Sequence, residues 1–214
     1  PEQIAIGAPL SLWHGFLLDW VSGLRGAMPG LAVSGVGDEP AVLMQRLIGG
    51  TLDIALLYRP SPPPGFIMEH LFDEEFVLVS PPRGSGGSSG GRSGARAGGR
   101  SGRRREADDY VLIDWGADFL VDHAAAYPER SNPALRLALG PMGLDYVMAN
   151  GASAYFPSRM VRRLVHDGLL RQPKRRRKFT YPVYMVFAEA RNEESFEPLI
   201  ERLRHAAQKF RQTR

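Results

Sequence analysis

Apolar residues fall at Trp13, Phe16, Leu17, Trp20, Val21 and Leu24. These steps of three and four predict a helix with one buried face. Ser11 stands where an N-cap belongs, and Met28-Pro29-Gly30 ends the element. Ahead of it, Ile4 to Ala8 reads as a short strand stopped by Pro9. Leu31 to Val36 is the next strand. Gly37-Asp38-Glu39-Pro40 then opens a helix, with Asp38 or Glu39 as cap and Pro40 at the first helical position. Leu43, Met44, Leu47 and Ile48 form its expected buried stripe, closed by Gly49-Gly50. Ile54 to Tyr58 is a continuous apolar run, as in a strand covered on both faces. Strand, helix, strand, helix, strand between Ile4 and Tyr58 predicts a parallel sheet.

The pattern then changes. Phe66 to Leu71 and Phe76 to Ser80 read as two strands joined by an acidic turn, Asp73-Glu74-Glu75. After a long Gly/Ser/Arg stretch, order resumes with a strand at Tyr110 to Asp114 and a helix at Gly116 to Tyr127. Leu135 to Leu139 is a strand, Pro141 to Asn150 a helix, and Ala152 to Phe156 a strand. Ser158 caps a helix running to Asp167 and ended by Gly168. Tyr181 to Phe187 is the last strand. Phe196, Leu199, Ile200, Leu203, Ala207 and Phe210 line one face of the last helix. A second α/β unit is therefore expected beside the first.

Charge changes the picture in one place. The net charge is +4, but Arg83 to Arg105 alone holds seven Arg and no acid, so the remainder carries −3. The folded body is expected to be mildly acidic, which weakens the charge argument for nucleic-acid binding. That segment is low-complexity and without aromatic residues, and reads as a solvated, disordered insertion. Lys174 to Lys178 reads as a solvated basic loop. With 0 Cys, disulfides and thiolate metal sites are excluded. No apolar run reaches the roughly 18–20 residues of a membrane span. The start at Pro1 has no signal-peptide pattern and no initiator Met, as expected of a piece cut from a longer protein.

Several runs resemble a known family. Ile4-Ala5-Ile6-Gly7-Ala8, the stretch Gly49-Gly50-Thr51-Leu52-Asp53-Ile54-Ala55-Leu56, and Leu71 to Pro81 are similar to the effector-binding domain of LysR-type transcriptional regulators. Asn150 to Pro157 resembles that family's Gly-rich turn into a strand ending in Pro, and Asp167-Gly168-Leu169-Leu170 fits as well. The resemblance implies an α/β fold of the type 2 periplasmic-binding-protein kind. Two Rossmann-like lobes are joined by two crossover strands, here Phe76–Ser80 and Tyr181–Phe187, and a small-molecule effector binds in the cleft between the lobes. Lobe I would be 1–80 plus 183–214, and lobe II 81–182. The family carries a winged helix-turn-helix ahead of this domain. None is present in this sequence, so DNA is expected to be reached only through that missing part. The resemblance further implies a cytoplasmic regulator forming a homo-oligomer, dimer or tetramer, in which the helix Trp13 to Leu24 pairs with a neighbouring chain. Leu18, apolar but behind the main stripe of that helix, is either part of such a contact or a lone exposed leucine.

In a parallel α/β sheet, ligands collect at the carboxyl ends of strands. The turns there give the candidate effector-binding residues: Pro9, Leu10, Ser11 and Trp13; Gly37, Asp38 and Glu39; Asp114, Trp115 and Gly116; Gly140; and Ser80 and Pro81 at the crossover. Ser11 serves either as a hydroxyl donor to the effector or as a plain N-cap. Trp115 is either a stacking surface or a core aromatic, and Asp114 either a ligand contact or a capping acid. Helix starts favour a small carboxylate, while Asp38, Glu39 and Asp114 favour a ligand bearing donors or positive charge.

Enzyme constellations fail. His14, His70, His123, His166 and His205 form no metal-spaced pair. A Gly-x-Ser-x-Gly match at Gly86 to Gly90 lies in low-complexity sequence, and Gly35-Val36-Gly37 is followed by Pro40 where a dinucleotide fingerprint needs glycine. No catalytic residue, metal or cofactor is expected. The competing reading on the same fold is a periplasmic solute-binding protein of a transporter.

Overall fold

The computed structural model describes residues 3–82, 109–173, 176–191 and 196–212. The Arg83–Arg105 insertion and its Gly-x-Ser-x-Gly match lie outside these residues, as do the first two positions of the Lys174–Lys178 run. The chain divides into two compact units: Pro1–Glu74 with Thr180–Arg214, and Glu75–Phe179.

Unit 1 starts with β1 (Gln3–Ala8), α1 (Leu10–Leu12), a π-type turn (Trp13–Leu17) and α2 (Leu18–Ala27). β2 (Ala32–Gly37), α3 (Pro40–Ile48) and β3 (Ile54–Tyr58) follow. β1 pairs in parallel with both β2 and β3, so the expected parallel ladder is present. Asp53 fixes its register: the backbone N–H of Ala5 donates to the Asp53 carboxylate at 2.7 Å, and the N–H of Asp53 donates to the Ala5 carbonyl at 2.8 Å. β8 (Phe179–Ala188) then runs antiparallel against β3. α7 (Glu197–Gln212) lays Leu199, Ile200, Leu203 and Ala207 onto a core made by Ile4, Ile6, Leu12, Leu17, Ile54 and Met185.

Unit 2 holds β5 (Val111–Ile113) parallel to β6 (Leu135–Leu137), with α4 (Ala117–Ala126) between them. α5 (Gly143–Asn150), β7 (Ala154–Pro157) and α6 (Ser158–His166) complete it. Its core gathers Val77, Val79, Val111, Ile113, Val147, Phe156 and Val161.

Four expectations are corrected. The two strands predicted between Phe66 and Ser80 are one strand, β4 (Phe66–Val79). Asp73, Glu74 and Glu75 do not turn the chain; they sit in the extended ladder, with Glu74 buried and its neighbours facing outward. β4 belongs to both units, and its distal end pairs antiparallel with β7 from Phe76↔Pro157 to Val79↔Ala154. The single helix predicted after Pro9 is broken at His14 and Gly15, where Gly15 takes φ 72°, a left-handed conformation glycine adopts at little cost. Ser11 and Ser158 are not N-caps: Pro9 and Pro157 hold those positions, and both serines lie inside their helices. The stripe of α3 is narrower than predicted, since Leu43 and Leu47 are buried but Ile48 is 53% exposed.

Candidate functional site

In unit 1, several predicted residues meet at the carboxyl ends of the parallel strands. The chain leaves β1 at Pro9, and α1 turns Ser11 inward, where it is buried. Its hydroxyl lies 2.9 Å from the Tyr58 hydroxyl at the end of β3. Trp13 lies across the end of β2. Its indole N–H donates to the Val36 carbonyl at 2.9 Å. Glycine is required beneath it, because a Cβ at Gly35 would come within 2.6 Å of the indole ring. A Cβ at Gly37 would come within 2.6 Å of Leu10, so Leu10 and Trp13 both cover the glycine end of β2. Asp38 accepts the Glu39 N–H at 2.9 Å, and Glu39 is the N-cap of α3 with no side-chain capping bond. Pro9, Leu10, Ser11, Trp13 and Gly37 thus form one neighbourhood, with the two acids at its outer margin.

The unit 2 candidates are tied into their own scaffold. Asp114 follows β5, and its carboxylate accepts the Gly116 N–H at 2.9 Å and the Arg136 guanidinium at 2.6 Å. Both oxygens are thereby engaged, and the acid is electrically balanced. Gly116 caps α4 with φ 107°, a value that demands glycine. Trp115 donates its indole N–H to the Tyr155 carbonyl at 2.7 Å and packs against Phe76 and Phe156. Gly140 opens a short 3-10 turn beyond β6, with φ 53°. Ser80 exchanges two backbone hydrogen bonds with Arg171, and Pro81 is buried beside it.

Sequence reasoning missed two groups. The first is Tyr58, Arg59 and Tyr181. The Tyr58 and Tyr181 rings meet edge to face at 6.3 Å, and the Arg59 guanidinium lies 5.0 Å from the centroid of Tyr181. The second is an aromatic network inside unit 2. His123 is buried, stacks on Tyr110, and shares a 2.7 Å hydrogen bond with the Tyr110 hydroxyl. Arg130 lies over the rings of Tyr110 and Tyr127. Burial, aided by the positive charge of Arg130, lowers the His123 pKa from its ordinary value and holds the ring neutral. Burial raises Tyr110 and Tyr155 far above the ordinary phenol range. These groups accept and donate hydrogen bonds but do not ionise near neutral pH. No pattern in the sequence marked them, because these aromatic residues lie far apart along the chain, between Tyr110 and Phe179. Among the described residues no cluster of His, Asp and Glu is arranged to hold a metal ion.

Residues 2–87 match the family model of the LysR substrate binding domain. Over 51 residues the chain is 47% identical to a probable hydrogen peroxide-inducible genes activator of Streptomyces viridosporus. That match spans 23% of this chain and 16% of the relative. The regulatory domain of HypT from Salmonella typhimurium superposes with a TM-score of 0.75 at 15% identity, covering 97% of this chain and 96% of that one. The regulatory domain of CrgA, a LysR-type transcriptional regulator from Neisseria meningitidis, gives 0.70 at 15% identity, covering 96% and 100%. That of MexT, a transcriptional activator in Pseudomonas aeruginosa, gives 0.69 at 15% identity, covering 95% and 98%. Residues 2–87 are thus similar to a LysR substrate binding domain, and the chain as a whole shares the fold of these regulatory domains.

Proposed function

We propose that the chain is the ligand-sensing regulatory domain of a LysR-type transcriptional regulator, and that it works by binding a small-molecule effector without making or breaking a bond. The observation carrying this reading is the neighbourhood of Pro9, Leu10, Ser11, Trp13 and Gly37 at the carboxyl ends of parallel strands, inside the segment that matches the substrate-binding family model. Ser11 is the effector's hydroxyl partner, tuned by its bond to Tyr58. In unit 2 the proposed contacts are Ser80, Pro81, Asp114, Trp115, Gly116 and Gly140. The whole protein would bind DNA through a winged helix-turn-helix, act as a homo-oligomer, and work in the cytoplasm. No helix among the described residues is long and apolar enough to cross a membrane.

The Streptomyces relative's name speaks of hydrogen peroxide. Peroxide signalling through a thiolate needs cysteine, and these 214 residues contain 0 Cys. A cysteine switch within these residues is thereby excluded, and the signal proposed here is noncovalent: the effector shifts the population between two arrangements of the protein by binding one better.

A thermal-shift screen tests the reading, because a ligand bound only to the folded state raises its melting temperature. With a ligand in hand, Ser11→Ala should weaken calorimetric affinity by about 3–10-fold, the worth of one hydrogen bond, beside a modest drop in the ligand-free melting temperature from the lost bond to Tyr58. An unaltered titration would remove Ser11 from the site.

A further inference from the structure

The mild net acidity of the folded body conceals how its charge is placed. Ser158–Lys178 holds seven Arg and two Lys against one acid, Asp167, a net +8. Outside this segment and Arg83–Arg105 the chain has 11 Lys and Arg against 22 Asp and Glu, a net −11. One basic segment is thus set in a strongly acidic remainder.

The fold turns that segment into a surface. On α6, Arg159, Arg162, Arg163 and His166 recur at i, i+3, i+4 and i+7, one side of a helix. On the other side Met160 and Val161 are buried, and Leu164 and Val165 pack against the core of unit 2. Arg162 is exposed, as are Arg163 and His166, whose side chains are 92% and 87% open to solvent. Asp167 lies 3.7 Å from the Arg163 guanidinium and 3.1 Å from the His166 ring, and an ion pair this exposed is too weak to mask the arginine. Gly168 then reverses the chain with φ 73°, and the N–H groups of Leu169 and Leu170 both donate to the Leu164 carbonyl. Arg171 follows at once, exposed, with its backbone locked to Ser80 by two hydrogen bonds. These cations are therefore presented by a buried helix stripe and a fixed turn.

We infer that α6 and Arg171 form a docking face for the phosphate backbone of duplex DNA, separate from the effector site. A guanidinium fits a phosphate with paired donors. Arg159 to His166 spans about 10 Å of helix axis, the rise of about three phosphates of one DNA strand. Ser158–Arg171 holds no Phe, Tyr or Trp, so it lacks the stacking platforms of single-strand binders and suits a duplex. The acidic remainder repels DNA and confines its approach to the side bearing α6. This inference rests on the regulator reading above, in which a winged helix-turn-helix on its promoter keeps α6 close to DNA. It adds a contact that reads no sequence.

The test titrates the 214-residue chain into a short labelled duplex of arbitrary sequence, read by fluorescence anisotropy over a range of salt. The parent should bind, with the logarithm of affinity falling linearly against the logarithm of salt concentration. Arg162→Gln with Arg163→Gln should shrink that slope by about 2 and weaken binding about tenfold at low salt. Arg25→Gln with Arg202→Gln, a pair of exposed arginines in unit 1, should match the parent. The Arg83–Arg105 residues are the same in every protein compared, so their own attraction to DNA cancels. Should the α6 double variant melt below the parent, Arg163→Gln alone carries the test, with a slope change of about 1. Equal slopes in the parent and the α6 variants would overturn the inference, as would equal losses in the two double variants or a parent that binds no duplex. Binding of poly-glutamate in place of DNA would assign the face to an acidic protein and overturn it too. None of these outcomes touches ligand sensing, which the thermal-shift screen decides by itself.

Discussion

Single residues in this chain often carry a role that their neighbours in sequence conceal. His123 is the plainest case: a lone histidine on a helix, read from sequence as unremarkable, is the polar centre of unit 2. Tyr110 (preceding β5), Phe119 on α4, Tyr127 at its end, Tyr155 on β7 and Phe179 at the start of β8 all surround it. The charged groups that act on it are Arg130, which opposes its protonation, and Glu129, which favours it more weakly. The folded pKa lies below that of the unfolded chain, about 6.5. The unfolded state therefore binds more protons as pH falls. The stability supplied by the neutral ring is complete above about pH 6.5 and drains away as pH drops from there through the folded value. Denaturant midpoints measured between pH 8 and pH 5 should show this decline, and His123→Gln should flatten it. A decline of equal slope in His123→Gln would assign the effect to other groups.

Elements show where sequence was legible and where it was not. The strands and helices of both units were readable because their apolar residues recur with a clear period. α7 is the best example, with Leu199, Ile200, Leu203 and Ala207 all buried as spaced. Boundaries failed where chemistry and period pointed different ways. Three acids in a row resemble a turn, yet β4 runs through Asp73, Glu74 and Glu75 as one continuous strand, with Glu74 on its buried side. Gly15 sits mid-stripe in a helical pattern, and the stripe cannot reveal that the backbone kinks there. For the candidate site, the turns after β1 and β2 were legible from the rule that ligands sit at strand ends. Tyr58, Arg59 and Tyr181 were not, because strand alternation hides a positive φ. In α3 the difference is measurable. Leu47→Ala should cost about 2–5 kcal/mol as a core truncation. Ile48→Ala, at an exposed position, should stay within about 0.5 kcal/mol. Equal losses in chemical denaturation would restore the wider stripe.

At the scale of the molecule, the chain is threaded so that unit 2 is one continuous insertion into unit 1. The two ends of that insertion are neighbours: the Lys178 ammonium donates to both oxygens of the Glu75 carboxylate at 3.0 Å. An exposed pair of this kind adds little stability, but it reports that the entry and exit of unit 2 lie side by side. A segment with its own core and adjacent ends should fold alone. Glu75–Phe179 expressed by itself is expected to unfold in one cooperative transition with intact near-ultraviolet circular dichroism. A non-cooperative melt would show that its core depends on unit 1.

The threading also sets an order of events during synthesis. The strands of unit 1 emerge first, yet their shared core includes β8 and the buried face of α7, which are translated only after all of unit 2. Nascent β1, β2 and β3 must therefore wait, with apolar faces open, while the inserted unit closes around its own core. Within these 214 residues the earliest-made part is the last to be finished, and on the ribosome it is the stretch most in need of a chaperone's cover.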